Sequence, residues 1–301
     1  MGLPTCVAVT GASGFLGTHL LTALRDRGVQ ALGVSRQQPS VAGVTYRPTG
    51  YDRQSLEQAV QGAEAVVHLA ARRAMRDDDR WALDPYLAPN VTVLQNLVDA
   101  AMTADARQIV LASTRTVYPA DAREPCKEGR DERPLNAYGV SKLFAEQYLR
   151  VLGHERGVSS VALRFAALYG EGERASPVLM RFAGLAERRE PLTLVGNARQ
   201  RLDQLYVQDA AEAIIAALER PHVHGPVNIG SGRSISVRDI ATTVNRVYGN
   251  PAGIDDQADP DGPASGVELD IHRASGELGW APRFDLENGL TAMRRSGRMS
   301  G

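Results

Sequence analysis

The stretch at residues 7–24 constrains the fold of this chain more than any other feature of the sequence. An apolar run predicts a strand, and leucines at helical spacing after it predict a helix. The glycines between them permit a sharp turn, a close backbone approach to a pyrophosphate and tight packing of helix on strand. The free amides of the helix start attract phosphate. The stretch predicts a dinucleotide site, with an ordinary glycine-rich turn as the alternative. Its expected cofactor contacts are Gly11, Ser13, Gly14, Phe15, Leu16 and Gly17.

Composition is that of an ordinary globular chain. Of 301 residues, 43% are hydrophobic and 23% charged, and the net charge of −1 gives no reason to expect nucleic acid or a membrane as partner. Two cysteines, Cys6 and Cys126, make no disulfide framework and favour a reducing cytoplasm. No apolar run reaches the roughly 18 residues of a membrane span, and no signal segment is recognised. We expect a cytoplasmic protein with no metal site.

Strand and helix patterns alternate up to residue 165. The alternation predicts a parallel sheet covered by helices on both faces, which is a Rossmann-type doubly wound α/β fold. We place a dinucleotide-binding domain at residues 1–170, with later segments near 203–230 returning to it. A smaller C-terminal α/β substrate lobe is expected at residues 171–301. The apolar runs that predict inner strands lie at 29–35, 65–70, 108–113 and 160–165.

Tyr138 and Lys142 stand four residues apart on a predicted helix, so they share a face. A positive charge within about 4–6 Å can lower the pKa of an acid by 1–3 units. Lys142 is therefore expected to lower the pKa of Tyr138, which would make this tyrosine a general acid/base near neutral pH. A pair on a helix surface is the alternative explanation of the spacing.

Six motifs occur in order along the chain, and with them it resembles the extended short-chain dehydrogenases/reductases of the NAD-dependent epimerase/dehydratase group. The resemblance covers residues 7–290 and implies an NAD(P)-dependent oxidoreductase. The motifs are the glycine stretch at 10–17, His68-Leu-Ala-Ala71, Ala112-Ser-Thr114 before Val117-Tyr118, Tyr138-Gly-Val-Ser-Lys142, Arg164 before Leu168-Tyr-Gly170, and Asn228-Ile-Gly-Ser-Gly232.

The resemblance implies a role for each catalytic residue. Tyr138 would give or take the proton at the reacting oxygen, and Lys142 would lower its pKa and hydrogen-bond the nicotinamide ribose. Thr114, with Ser113 beside it, would hydrogen-bond the substrate oxygen and stabilise charge there as hydride moves. We expect His68 to be a packed residue at a strand end rather than a catalyst. Further positions expected to line the cofactor are Leu69, Ala70, Ala71 and Asn90.

The end of the second predicted strand bears on the choice of nicotinamide. NAD enzymes place a carboxylate there for the ribose 2′-hydroxyl, whereas this chain has Ser35 and Arg36 with no acid nearby. Because arginine pairs with a 2′-phosphate, we favour NADP(H), with NAD(H) as the alternative. The acid that the family usually places against adenine is displaced here to Asp52.

The substrate lobe departs from relatives that bind nucleotide-sugars. Those relatives carry an asparagine in place of Ala167, an arginine in place of Leu202 and often a cation in the loop at 255–262, which here holds aspartates. Since a charge-assisted hydrogen bond is worth about 1.5–3 kcal/mol, a nucleotide diphosphate would be held differently or be absent. An acidic cleft would suit an amine-bearing sugar, and a solvated loop is the alternative. The candidate substrate residues are Arg72, Thr116, Ala167, Arg199 and Arg201.

We expect an NADP(H)-dependent ketoreductase that transfers hydride to a carbonyl of a sugar-like substrate, with a nucleotide-linked keto-deoxysugar as first choice. Arg115 and Thr116 follow Thr114 where sugar dehydratases of the family have an Asp-Glu pair, which disfavours dehydration. An NAD-dependent nucleotide-sugar epimerase is the runner-up. A reductase of an amine-bearing sugar without a nucleotide and a non-catalytic dinucleotide-sensing protein are further alternatives. The resemblance implies a homodimer, in which the helices from Asn90 and Ala137 pair.

Overall fold

The computed structural model describes residues 2–75, 78–121, 125–173, 178–259, 261–263 and 265–296. Its strands are β1 (Cys6–Thr10), β2 (Gln30–Ser35), β3 (Thr45–Pro48), β4 (Ala65–His68), β5 (Gln108–Thr114), β6 (Ser159–Phe165), β7 (Ala167–Tyr169), β8 (Leu192–Gly196), β9 (Arg201–Tyr206), β10 (Gly225–Ile229), β11 (Ser234–Ser236), β12 (Ile254–Ala258) and β13 (Gly266–Val267). Its helices are α1 (Phe15–Asp26), α2 (Arg53–Val60), α3 (Asp84–Tyr86), α4 (Val93–Thr103), α5 (Ala137–Arg156), α6 (Leu179–Glu187), α7 (Val207–Leu218), α8 (Val237–Tyr248), α9 (His272–Leu278) and α10 (Leu286–Arg295).

A seven-stranded parallel sheet in the order β10-β6-β5-β4-β1-β2-β3 forms the centre of the molecule. Leucines of α1 and the alanine-rich α7 pack on one face, and α2, α4 and α5 pack on the other. The prediction of a Rossmann-type doubly wound fold is therefore confirmed. The strand order reverses between β1 and β4, and ligands of such sheets bind at this point, outside the carboxyl ends of the strands.

The C-terminal part of the chain builds smaller sheets beside the large one. In one sheet β9 pairs with β7, β11 and β13, and in the other β12 pairs with β8. Helices α6, α8 and α10 pack around them in a separate hydrophobic cluster. The later segments divide between the layers, since β10 joins the large sheet and β9 the smaller one.

The acidic stretch expected as a loop is partly a strand, which corrects the expectation. Residues of β12 hydrogen-bond in parallel to β8, while the side chains of Asp255 and Asp256 stay exposed. Asp256 forms an ion pair with Arg238 of α8. The backbone ladder holds this segment, and its charges remain in water, so acidic side chains do not prevent strand formation here.

Two expectations from composition concern cysteines and membranes. Cys6 and Cys126 are both free thiols and both buried. Cys126 forms an isolated parallel bridge with Leu269, and its backbone N–H donates to the Glu268 carbonyl over 2.8 Å. In the described part of the chain, no helix combines the length and apolar character that crossing a membrane requires.

Candidate active site

The glycine turn after β1 brings backbone close to backbone. Gly11 has φ +70°, and a Cβ on it would lie 2.7 Å from the Ala70 nitrogen. A Cβ on Gly17 would lie 2.3 Å from the Gly11 carbonyl oxygen. Among the described residues no side chain caps the start of α1, so its first amides are available to an anion. The turn fits the pyrophosphate of a dinucleotide.

A cavity of about 1070 Å³ lies over the carboxyl ends of the central strands, beside this turn. It reaches from the end of β2, past the glycine turn, to the ends of β5 and β6. Most of the residues predicted from the sequence line it. These are Gly11, Ser13, Gly14, Phe15, Leu16, Gly17, Ser35, Arg36, Leu69, Ala70, Ala71, Arg72, Ser113, Thr114, Thr116, Tyr138, Lys142 and Ala167.

Three predicted residues are not brought into the cavity lining. Asn90 is buried behind it, where its side-chain amide accepts from the Arg72 N–H over 2.8 Å and donates to the Ser141 hydroxyl over 3.0 Å. Asn90 therefore shapes the loop after β4. Arg201 donates to the Ser234 hydroxyl over 3.0 Å, and Arg199 lies exposed in a turn. None of the described aspartates at 255–261 lines the cavity either, so it is not an acidic cleft.

Thr114 and Ser113 end β5 with different partners. The Ser113 hydroxyl donates to the carboxylate of Glu146 and is buried. The Thr114 hydroxyl accepts from the Thr116 N–H over 3.2 Å and can still donate to a ligand. Both residues line the cavity, but the Ser113 hydroxyl is held by Glu146, which leaves the Thr114 hydroxyl to donate to a ligand. The geometry favours Thr114 for that role.

Tyr138 and Lys142 share the cavity-facing side of α5, as their spacing predicts. Burial of its hydroxyl raises the pKa of Tyr138 to about 12, while the charge of Arg73 acts to lower it. Burial lowers the pKa of Lys142 to about 8, while the charge of Glu146 acts to raise it. The pKa of Tyr138 in the protein alone therefore lies above its ordinary value and not below it, as was expected from Lys142, because desolvation outweighs the one charge that lowers it, that of Arg73.

A buried polar network lies directly behind these residues. Arg164 is fully buried, donates from Nε to Glu146 over 3.0 Å and from Nη2 to Glu132 over 2.6 Å. Its Nη1 donates to the Tyr118 hydroxyl over 2.8 Å, which in turn donates to Asn228 over 2.8 Å. The two carboxylates raise the pKa of Arg164 against the opposing effect of burial. The network fixes Glu146 between Ser113 and Arg164.

The far end of the cavity is built by Tyr51 and Arg36. Tyr51 has φ +67° and accepts from the Gly11 N–H over 3.2 Å, and burial raises the pKa of its phenol. The Arg36 guanidinium lies 5.4 Å from the Tyr51 ring centroid. The Ser35 hydroxyl donates a hydrogen bond to the Gln37 carbonyl over 2.5 Å. Asp52 caps α2 by accepting from the Ser55 N–H and does not line the cavity.

Two arginines after β4 stand at the cavity mouth. Arg73 forms a bidentate pair with Glu173, at 2.9 and 3.1 Å, which links this loop to the segment after β7. Arg72 pairs with Asp78 at 2.6 Å, and Asp78 also accepts from the Tyr86 hydroxyl over 2.7 Å. Arg72 is thus occupied by a neighbouring carboxylate.

His68 is packed, as expected. Its Nδ1 lies 2.7 Å from the Thr10 hydroxyl, and burial lowers the pKa of the imidazole to about 3. It stays neutral at physiological pH. Among the described residues, no group of three His, Cys, Asp or Glu side chains is placed to hold a metal ion.

Among the lining residues that sequence reasoning missed, four carry ionisable side chains. Arg73 lies in a charge cluster that reads as a solvated face, and Arg115 entered only as a departure from the dehydratase pattern. No sequence pattern predicted that Tyr51 would line the cavity, because its backbone has a positive φ, which a tyrosine uncommonly adopts. Glu173 meets Arg73 only through the fold, 100 residues further along the chain. No periodicity predicts such a pair.

The fold and the site together define a class: an extended short-chain dehydrogenase/reductase, an oxidoreductase-type enzyme of an NAD-dependent family. A model of the NAD dependent epimerase/dehydratase family matches residues 7–230. The chain belongs to that family, which confirms the resemblance.

Relatives and solved structures agree with this assignment. The chain is 32% identical to a UDP-glucose 4-epimerase of Azospirillum brasilense, over 94% of this chain and 89% of the other. It is 28% identical to a dTDP-4-dehydro-6-deoxyglucose reductase of Escherichia coli, over 96% of each chain. The structure of MoeE5 in complex with UDP-glucuronic acid and NAD is similar with a TM-score of 0.83 and 32% identity, and 96% of this chain and 99% of that chain are covered.

Proposed function

We propose that this protein is an NAD-dependent nucleotide-sugar 4-epimerase. The observation that carries the proposal is one continuous cavity that joins the glycine turn to Thr114, Tyr138 and Lys142. Similar proteins are mostly nucleotide-sugar 4-epimerases, which supports this function over the reductase that the sequence alone favoured. The same side chains serve both reactions, so the difference lies in whether the cofactor returns its hydride to the same sugar.

The proposed chemistry assigns one task to each side chain. The glycine turn and Lys142 would hold NAD, which would supply reversible hydride transfer at C4 of the sugar. The Tyr138 oxygen would accept the C4 hydroxyl proton and give it back, while Thr114 would donate a hydrogen bond to the same oxygen. Lys142, with a pKa of about 8, is mainly protonated at pH 7 and supplies charge to stabilise the phenolate.

Lys142 is also free to bind the nicotinamide ribose. Among the described residues none hydrogen-bonds its ammonium group, although the side chain is only 3% exposed. A buried ammonium without a partner is costly, so a ligand hydroxyl at this point would stabilise it. The available amides of α1 would hold the pyrophosphate at the other end. Together these features fit a dinucleotide lying across the sheet edge.

The test is to denature the purified protein before and after exhaustive dialysis and to identify the nicotinamide released. An epimerase that retains its hydride is expected to release NAD both times, and to convert UDP-glucose or UDP-glucuronic acid into its C4 epimer without added cofactor. Release of NADP(H) only before dialysis, together with net consumption of NADPH on a keto-sugar, would contradict the proposal.

A second candidate is the NADP(H)-dependent ketoreductase, and Arg36 is the observation that favours it. Its guanidinium lies at the end of β2 against Tyr51, with no carboxylate bound to it among the described residues. A 2′-phosphate there would gain a charged partner. The 28% identical reductase relative is compatible with this chemistry. An Arg36→Ala variant separates the candidates, since only NADP(H) binding should weaken markedly.

The proposal includes a homodimer in the cytoplasm, formed through α4 and α5. Three apolar side chains of α5 are exposed to solvent: Val140, Phe144 and Val151 are 38%, 51% and 51% exposed. Phe144 also stacks on Tyr148 with ring centroids 6.0 Å apart. Burial of such a stripe against a second copy would stabilise both. Sedimentation of a Phe144→Glu variant as a monomer, beside a dimeric wild type, would support this arrangement.

A further inference from the structure

Four arginines line the cavity, and three of them already have partners. Arg36 lies on the Tyr51 ring, Arg72 pairs with Asp78 and Arg73 pairs with Glu173. Arg115 differs: among the described residues no hydrogen bond, ion pair or aromatic contact involves its guanidinium. It begins the short 3₁₀ turn Arg115–Val117, directly after Thr114. Arg115 therefore lies at the substrate end of the cavity, and none of the described residues forms an ion pair with its guanidinium.

Because the Arg115 guanidinium is largely removed from water, the missing anionic partner is energetically unfavourable. Burial lowers the pKa of the Arg115 guanidinium, and the charge of Asp203 acts to raise it. Asp203 is fully buried and already accepts from the Ser231 N–H and hydroxyl and from the Leu269 N–H. Because its oxygens are satisfied by other donors, Asp203 compensates Arg115 only from a distance. A partly desolvated cation in this position gains strongly from an anionic ligand.

The place of Arg115 decides which part of a nucleotide-sugar it can meet. In the proposed reaction C4 of the sugar lies at Thr114 and Tyr138. In a pyranose ring C1, which carries the diphosphate, is opposite C4, whereas C5 is its neighbour. The two ring neighbours of C4 are C3, which carries a hydroxyl group, and C5, and an unpaired cation beside Thr114 would discriminate between sugars by the substituent on C5. In a hexuronic acid that substituent is a carboxylate, and in a neutral hexose it is a CH₂OH group.

We propose that Arg115 is a specificity-determining residue that binds the C5 carboxylate of a nucleotide-linked hexuronic acid, so the substrate is an acidic sugar. The inference rests on the proposed function, because the position of C4 comes from it. Arg115 takes no part in the proton or hydride steps. Its planar guanidinium offers two parallel N–H donors, which match a carboxylate and not a hydroxymethyl group. The inference names the substrate class of the same site.

The test compares binding of UDP-glucuronic acid and UDP-glucose to the NAD-loaded protein by isothermal titration calorimetry. Arg115→Gln should weaken the binding of UDP-glucuronic acid by about 10–100-fold and change the binding affinity for UDP-glucose by less than about threefold. Arg115→Lys keeps the charge and should retain part of the affinity. Arg156→Gln, an exposed position at the end of α5, is the matched control and should change neither ligand. Thermal melts of each variant report separately on folding.

The outcomes separate this inference from the proposed function. A selective loss for the carboxylated ligand supports it, even if the wild type epimerises neither sugar, in which case only the proposed function fails. An equal loss for both ligands would place the diphosphate at Arg115 and overturn the inference. Unchanged binding in Arg115→Gln, or a wild type that does not bind UDP-glucuronic acid, overturns it as well. Epimerisation of UDP-glucose would meanwhile sustain the proposed function.

Discussion

The two ends of the cavity are built on different principles. At the cofactor end, Gly11 and Gly17 belong to one contiguous stretch, and the groups offered to a ligand are backbone amides at the start of α1. At the substrate end, the groups are side chains carried by separate elements, among them Thr114 on β5, Tyr138 on α5 and Arg73 after β4. The cofactor end requires glycines, which have no side chain, whereas the substrate end requires side chains that the fold brings together.

The difference teaches how each end tolerates change. Backbone amides cannot be mutated, so the cofactor end is sensitive chiefly to added volume. The substrate end depends on charge and on support from behind, where Arg164 and Glu146 form a buried pair. A substitution at the substrate end should alter chemistry or pKa values, whereas one at the glycine turn should alter binding and stability together.

The largest effect is expected at the substrate end for Tyr138→Phe. Loss of the proton carrier should lower kcat by about 100- to 10,000-fold, while NAD content and the melting temperature stay close to wild type. The matched control is Tyr148→Phe, since that ring stacks on Phe144 outside the cavity. Initial rates with a nucleotide-sugar report on the substrate end of the cavity, and the NAD content per chain reports on the cofactor end. A Tyr138→Phe variant with full activity would remove this tyrosine from the mechanism.

A smaller effect is expected from Glu146→Gln, which breaks the buried support. Arg164 loses its closest charge partner, so unfolding free energy should fall by about 3 kcal/mol, as measured in urea. The charge of Glu146 acts to raise the pKa of Lys142. Its removal should therefore lower that pKa further below 8, and the limb of the pH–rate profile that reports Lys142 should move to lower pH.

The control for this variant is Glu155→Gln on the exposed end of the same helix. It should leave both the stability and the pH profile unchanged. If Glu146→Gln lost stability without any displacement of the profile, the network would have a structural role only. A displacement toward higher pH would contradict the sign of the coupling between Glu146 and Lys142.

The smallest of the three effects is expected at the cofactor end, for Gly17→Ala. The added Cβ would meet the Gly11 carbonyl oxygen at 2.3 Å and the Ala12 Cα at 2.9 Å, so backbone must shift. Overpacking of this kind costs about 1–3 kcal/mol, and NAD content should fall with it. Gly28→Ala sits at the end of α1 with open space around it. Its φ of +73° adds strain but no clash, so it should lose stability without losing NAD.

Much of the fold was predictable because its signals are local. The strand, the glycine turn and the helix at residues 7–24 follow one another without a gap, and apolar runs mark the inner strands of the sheet. The motif with Thr114 lies at the end of β5, and the motif with Tyr138 and Lys142 lies on one face of α5. The segment at 254–258 was missed as a strand because its pairing with β8 overrides the low β-propensity of aspartate.

The pKa values were not predictable from spacing. A spacing of four residues on a helix places Tyr138 beside Lys142. The burial that raises the pKa of Tyr138 and lowers that of Lys142 comes from elements far apart in the chain. The same holds for the partners of the arginines. Arg72 and Arg73 are neighbours in sequence, yet the fold gives them different carboxylates, Asp78 and Glu173.

The sequence by itself determined the sheet, the glycine turn and the placement of Tyr138 and Lys142 on one face of α5, because each depends on residues that lie close together along the chain. Tertiary structure alone decided that Ser113 is bound by Glu146 while Thr114 faces the cavity. It also decided that Arg115 lines the cavity without an ion-pair partner among the described residues. The physical reason is that desolvation and charge pairing depend on distance in space, which sequence separation does not report.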